Sequence, residues 1–244
     1  VYKRQVYRMY LKRILFLIIV VGLILLGSFS FYVFQVMFSS NTNFSENYKY
    51  IYIKTGSNYA DLIEQIKPDL INIDHFDVLA KRKMFIPKPG KYIIKKEMSN
   101  NEIINSLRSR NLTVDVVFNN IKNMNELAGI IGKQIELDSV SFLDFKKDTF
   151  FENKGFDKYN KLSMYIPNSY NFYWNTNVRE FNYRMFKEYT KFWELNNRQI
   201  KAKKIGLSQK EVMILASIVY EESNANIDLP RIAGVYMNRL KNNW

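Results

Sequence analysis

From Ile14 to Phe38 the chain carries no charge for twenty-five residues, and that stretch opens on the apolar run Ile14-Leu15-Phe16-Leu17-Ile18-Ile19-Val20-Val21. About 20 apolar residues in a helix cross a bilayer. The pattern therefore predicts one transmembrane helix over 14–38, long enough to span with some tilt. Every charge before it is positive: Lys3, Arg4, Arg8, Lys12 and Arg13. Cations concentrate in the cytoplasmic flanks of membrane helices, so residues 1–13 are expected as a cytoplasmic basic tail. The protein would then be single-pass in the cytoplasmic membrane, its bulk in the periplasm or extracytoplasmic space. A cleaved signal peptide is the rival reading, but its apolar region runs to only about 7–15 residues before a small-residue cleavage site.

After the span the period shortens. Ser39-Ser40-Asn41-Thr42-Asn43 opens a polar linker over 39–49. Tyr50-Ile51-Tyr52-Ile53-Lys54 alternates like a strand, and Thr55-Gly56-Ser57 turns the chain. Ala60, Leu62, Ile63 and Ile66 then give an amphipathic helix stopped by Pro68. A second helix is expected over Ile73–Lys83, a turn at Pro87, Pro89 and Gly90, and a strand over Lys91–Ile94. Ser99-Asn100-Asn101-Glu102 caps a further helix whose buried stripe is Ile103, Ile104 and Leu107. Residues 50–110 thus read as a small α+β module. Residues 111–137, with a strand at Thr113–Phe118 and a helix at Asn125–Gln134, read as a connecting α/β segment, and 138–244 as a helix-rich domain. The fold class is α+β.

Composition narrows the chemistry. With 47% hydrophobic and 16% aromatic residues the chain is not wholly disordered. Five of the charges behind the net +13 precede Ile14, leaving +8 for the rest, a balance that suits an anionic polymer or membrane face. Nucleic acid is not an expected partner, because no recognition motif accompanies the charge and the domain lies outside the cytoplasm. The absence of cysteine excludes disulfides, cysteine-based metal sites and a lipidated cysteine anchor. His75, the sole histidine, has no partner for a metal site and is expected to have a structural or surface role. The aromatic stretch Tyr165–Trp174 fits either sugar stacking or core packing.

The most informative segment starts at Ser208. Ser208-Gln209-Lys210-Glu211 is a capping box, and Val212–Tyr220 carries a single polar residue, Ser217. A helix apolar nearly all round is expected to be buried in the domain centre, with Leu215 and Val219 fully enclosed. It runs into Glu221-Glu222-Ser223. At about 100° per residue Glu221 lies opposite the stripe of Val212, Leu215, Ala216 and Val219, beside Ser217, while Glu222 lies at its flank. A carboxyl at the end of a buried helix is partly desolvated, which favours its protonated form and suits a general acid. Asp228 is expected to cap a second helix with Pro230 in its first turn. Leu229, Ile232, Ala233, Tyr236 and Leu240 form that helix's inner stripe, turning Asn238 away. Two helices meeting beside Glu222 would form a cleft wall.

These segments resemble the endolytic murein transglycosylases, the MltG or YceG-like family. The block Leu215-Ala216-Ser217-Ile218-Val219-x-Glu221-Glu222-Ser223, followed by Ile232-Ala233-Gly234-Val235-Tyr236-Met237-Asn238-Arg239-Leu240, is similar to the family's "ASIVEKET…VAxVFxNRL". Tyr165-Ile166-Pro167-Asn168-Ser169-Tyr170 resembles its "FPDTY" segment, and Lys88-Pro89-Gly90-Lys91-Tyr92 the "AGTY" turn of its LysM-like module. Tyr220 stands where the family often has Glu, and Asp228-Leu229 where it has Glu-Arg. Family members continue past the Asn-Arg-Leu helix, so the chain is expected to be a C-terminally truncated fragment, its catalytic domain incomplete.

What the resemblance implies is a lytic transglycosylase with a single catalytic carboxylate, Glu222, and with Ser223, Asn238 and Tyr170 binding substrate. Such an enzyme cuts the bond between N-acetylmuramic acid and N-acetylglucosamine within nascent strands, leaves 1,6-anhydro ends and so limits strand length. No metal or cofactor is required. The implied partners are peptidoglycan glycan strands and the synthases that make them. The other reading is a non-catalytic, peptidoglycan-binding scaffold of the cell-wall synthesis machinery.

Overall fold

The computed structural model describes residues 2–119, 121–144, 149–223 and 225–242, with side chains from Tyr10 onward. The side chains of Lys3, Arg4 and Arg8, and Asn224 of the expected connection after Ser223, lie outside the described residues. The architecture is mixed α/β. The chain divides into two units, the first ending at Leu112 and the second beginning at Thr113.

In the first unit, α1 (Tyr2–Phe38) is a single helix of 37 residues, roughly 55 Å long at 1.5 Å per residue. Its portion from Tyr10 to Phe38 is long and apolar enough to cross a membrane. Leu25, Phe29 and most of its other large side chains are exposed. The last turns differ, because Val36 is buried in the unit's core. Beyond them come β1 (Tyr48–Ile53), α2 (Tyr59–Ile66), α3 (Ile73–Arg82), β2 (Gly90–Lys95) and α4 (Asn100–Arg108). β1 and β2 pair antiparallel with Ile51 opposite Tyr92. One face of this ribbon buries Ile51, Ile53, Tyr92 and Ile94 with Phe76, Ile103 and Ile104 from the helices. Gly90 opens β2 at φ +148°, and a Cβ there would meet the Asn111 side chain at 2.5 Å.

The polar stretch 39–49, read as a linker, is tied into the unit. Ser40 bridges to Ser99 and Thr42 to Leu70. Asn41 is buried; its Nδ2 donates to the Asn72 carbonyl at 2.8 Å and to Asn100 Oδ1 at 2.6 Å. Its Oδ1 accepts from the Asn72 backbone N–H at 2.7 Å. Asn100 in turn donates to the Val36 carbonyl at 2.8 Å, an oxygen that α1 leaves unpaired near its own end. His75 carries a structural role, its ring meeting Tyr32 edge-on at 5.8 Å.

The second unit contains β3 (Thr113–Phe118), α5 (Met124–Gly132), α6 (Ser139–Asp144), α7 (Phe150–Asn153), β4 (Asn168–Tyr173), α8 (Val178–Glu194), α9 (Arg198–Lys204), α10 (Gln209–Glu222) and α11 (Leu229–Lys241). β3 pairs antiparallel with β4, Val116 opposite Tyr170. Residues 111–137 are therefore more than a connection: their strand is half of this unit's sheet, and Leu127, Ala128 and Ile131 of α5 join its core. The core is aromatic, with Phe172 and Phe181 at 4.8 Å between centroids and Phe142 edge-on to Phe181 at 5.8 Å. The stretch Tyr165–Trp174 resolves largely as packing, since Tyr165, Tyr170 and Phe172 are buried and alternate with outward-facing residues along β4.

Candidate functional site

Helix α10 starts where its capping box dictates. Ser208 Oγ accepts from the Glu211 N–H at 3.3 Å, and the Glu211 carboxylate accepts from the Ser208 N–H at 2.7 Å. These bonds hold the Glu211 carboxyl below the ordinary carboxylate range, the backbone bond first. The helix is not enclosed as expected. Val219 alone is buried; Leu215 is half-buried, and Ile214, Ile218 and Tyr220 are exposed. A helix apolar on all sides needs cover on all sides. The turn Lys161–Met164, α9 and α11 pack against α10, and they leave Ile214, Ile218 and Tyr220 exposed.

These exposed residues form one wall of a groove of about 900 Å³, which Tyr159, Leu162, Tyr165, Pro167, Ile121 and Lys122 also line. The helical phase explains which residues line it. Val219 turns inward and the opposite edge, with Ser217 and Glu221, faces the groove, but Ala216, expected on the inner stripe, is exposed and lines the groove too. Glu221 is thus not turned away from Glu222, and the two line the groove together. Glu222 is exposed rather than partly desolvated. Its distinguishing feature is a partner: Tyr236 Oη, from α11, donates to Glu222 Oε1 at 2.6 Å. The same bond, ahead of any desolvation, pushes the Tyr236 phenol above its ordinary value. Arg239 lies over the Tyr236 ring at 5.6 Å. α10 and α11 thus meet at the carboxylate, which is oriented by a phenol fourteen residues further along the chain.

The other residues expected at the site are not brought together around the groove. Ser223 is half-buried, and its Oγ accepts from the Ala225 N–H at 3.1 Å, closing the turn after α10. Asn238 is exposed on α11 and is not part of the groove lining. Tyr170 lies in the core, its hydroxyl committed to the Ile166 carbonyl at 2.6 Å, with burial pushing the phenol up to about 12. Asp228 precedes α11 without a side-chain capping bond, and no residue of α11 is buried.

The groove is also lined by Tyr159, which the sequence pattern did not single out. Tyr159 is 79% exposed at the rim, with Lys158 Nζ at 4.7 Å over its ring. It is presented by a turn in which Asp157 Oδ1 accepts from the N–H groups of Tyr159 and Asn160. The Asp-x-x-Asn spacing carries that turn signal. Nothing local marks Tyr236 as the partner of Glu222. Tyr165 borders the groove while buried, donating to Asn182 Oδ1 at 2.6 Å, and its burial pushes the phenol well up.

The model of the YceG-like family matches residues 51–244. The chain belongs to the YceG-like family. No curated protein matches it significantly. Among solved structures, a crystal structure titled as a YceG-like protein from Listeria monocytogenes is 18% identical. That likeness covers 81% of this chain and 72% of the other, at a TM-score of 0.47. The family match takes in all of the groove and everything in the first unit beyond Tyr50.

Proposed function

We propose that this YceG-like protein is a membrane-anchored endolytic lytic transglycosylase, with α1 in the cytoplasmic membrane, its N-terminus inside, and both units outside the cytoplasm. The observation that carries this reading is the Glu222 carboxylate at the meeting of α10 and α11, oriented by Tyr236 at the end of a groove with an open apolar wall. Apolar walls and exposed aromatics such as Tyr159 suit the faces of sugar rings. Glu222 protonates the glycosidic oxygen leaving C1 of N-acetylmuramic acid. As carboxylate it then takes the proton from that sugar's C6 hydroxyl, whose oxygen bonds to C1. One C–O bond breaks, one forms, and the proton count is unchanged. The intramolecular nucleophile replaces water and brings a large entropic advantage. Glu222 is exposed in the free protein, and glycan filling the groove would exclude water from around it. The small first-unit module, read as LysM-like, would hold strands, and peptidoglycan synthases are the proposed neighbours.

The test uses protein expressed from the full reading frame and assayed for 1,6-anhydro ends. General acid–base catalysis is typically worth about 10²–10⁴-fold, so Glu222→Gln should lose activity on that scale while still binding strands. Glu221 shares the groove and makes the comparison sharp. If Glu221→Gln is dead and Glu222→Gln is not, the assignment moves by one residue. The second reading, a non-catalytic scaffold, is favoured by the exposure of Glu222. It gains if the wild-type protein binds strands and yields no anhydro ends.

A further inference from the structure

The loop after α3 exposes large apolar side chains in a place where the backbone gives no reason for them. Phe85 N–H returns to the Ala80 carbonyl at 2.9 Å and Met84 N–H to that of Lys81 at 3.0 Å, closing the helix through a left-handed residue. That residue is Met84, with φ +48°. Glycine is the usual occupant of such a position, since it has no Cβ to strain. Met84 is nonetheless 85% exposed, and Ile86, two residues on, is 75% exposed. Between them Phe85 is buried and pins the loop to the core. The surroundings are cationic: Arg82 and Lys88 are exposed, Lys83 bonds Asn101, and only Lys81 is spent on an acid, Asp77.

The position of this loop relative to α1 follows from the contacts within the first unit. Asn41, just past the end of α1, bonds Asn72 at the start of α3. Tyr32, further back within the apolar span, meets His75, further along α3. The two helices therefore run in opposite senses where they pack, and the C-terminal end of α3 lies on the span side of its start. Along the face that begins with His75, Val78 and Arg82 follow at i+3 and i+7, both exposed. An apolar tip ringed by cations, aimed back along a membrane-spanning helix, matches the acyl boundary and anionic headgroups of a bilayer.

We infer that Met84 and Ile86 form a second membrane contact, dipping into the interface of an anionic bilayer beside the anchor. This rests on the membrane-anchored reading of α1. Because the chain has no cysteine, single-site labels test it directly. The full chain is reconstituted into phosphatidylcholine vesicles with and without phosphatidylglycerol. It carries one fluorophore at a time, in the Met84→Cys, Leu25→Cys and Glu64→Cys variants, and is challenged with lipid-borne and aqueous quenchers.

The expected result is several-fold stronger lipid quenching at position 84 than at exposed Glu64 on α2, at a depth of roughly 5–10 Å. It should weaken when phosphatidylglycerol is omitted, whereas quenching at position 25 should not. Ile86→Cys repeats the measurement with the Met84 cap intact. If position 25 is lipid-quenched and positions 84 and 86 behave like 64, the inference is overturned and the anchor stands. Protection of 84 and 86 from both quenchers means that a protein surface or second copy covers the loop, which also overturns it. Failure at position 25 removes the anchor itself, and the inference with it.

Discussion

Helices α4 and α10 begin alike and end in different surroundings. Each opens on Ser-x-x-Glu, Ser99 with Glu102 and Ser208 with Glu211, and in both the reciprocal capping bonds form. In α4 the residues behind the cap, Ile103, Ile104 and Leu107, are buried beneath the β1–β2 ribbon. In α10 a more apolar sequence buries only Val219 and leaves Ile214, Ile218 and Tyr220 exposed. The start of a helix is a local decision, settled by a serine, a glutamate and the N–H groups between them. Burial is settled by what else reaches the helix. Where cover is incomplete on an apolar surface, the open side is a candidate for ligand, and in this protein that side carries the paired glutamates.

The comparison breaks most readily at the core. Ile104→Ala, at a position with no exposure, should cost about 2–5 kcal/mol of first-unit stability. Ile218→Ala, on the open side of α10, should shift second-unit stability by no more than about 0.5 kcal/mol. Denaturant unfolding with segment-resolved hydrogen exchange reads the two units separately. Equal losses would mean that α10 is enclosed in solution and the groove is closed.

A smaller effect is expected at the polar knot of the first unit. Asn100→Ala removes the donor to the Val36 carbonyl and the acceptor for Asn41 Nδ2. Leaving buried groups unsatisfied costs about 1–3 kcal/mol each. Exchange protection at Asn41 and through the end of α1 should fall first.

The caps should behave alike. Ser99→Ala and Ser208→Ala should each cost about 1 kcal/mol, whatever the burial behind them. The hydrogen bonds that Glu102 and Glu211 accept from their cap serines lower both carboxyls from the ordinary 4.5. A group whose folded pKa is depressed contributes stability in full above its unfolded value and loses it as pH falls through the folded one. Both helix starts should therefore fray on acidification below pH 4.5, and Glu→Gln variants should show a weaker acid dependence by circular dichroism.

What the sequence revealed and what it hid divide along the same line. The capping boxes, the strand at Thr113–Phe118 and the apolar span were legible because each is written within a few residues or one continuous run. The inward edge of α10 was legible only in part from helical phase, since Val219 is buried but Ala216 of the same stripe is exposed and lines the groove. The exposure of the helix's other side was not legible, because no periodicity states how many neighbours a helix has. Pairing of Val116 with Tyr170 crosses more than fifty residues, and it turned an expected connecting segment into half a sheet and an expected substrate residue into core. The Tyr236–Glu222 bond depends on the angle between two helices, which a stripe of apolar residues does not give. Asn41 read as linker because a polar residue beside a membrane span ordinarily meets water; its partners at 72 and 100 are distant in sequence.

That knot at Asn41 has a mechanical meaning. A flexible tether lets a domain tumble over its membrane and sample a shell of heights. Here the last turn of α1 is bonded through Val36 to Asn100, and the next residues are clamped at both Ser99 and Leu70. With α1 in a bilayer, the first unit would have no slack to swivel on. Tilting the helix would tilt the β1–β2 ribbon with it, so membrane thickness and curvature would set the angle at which the first unit stands.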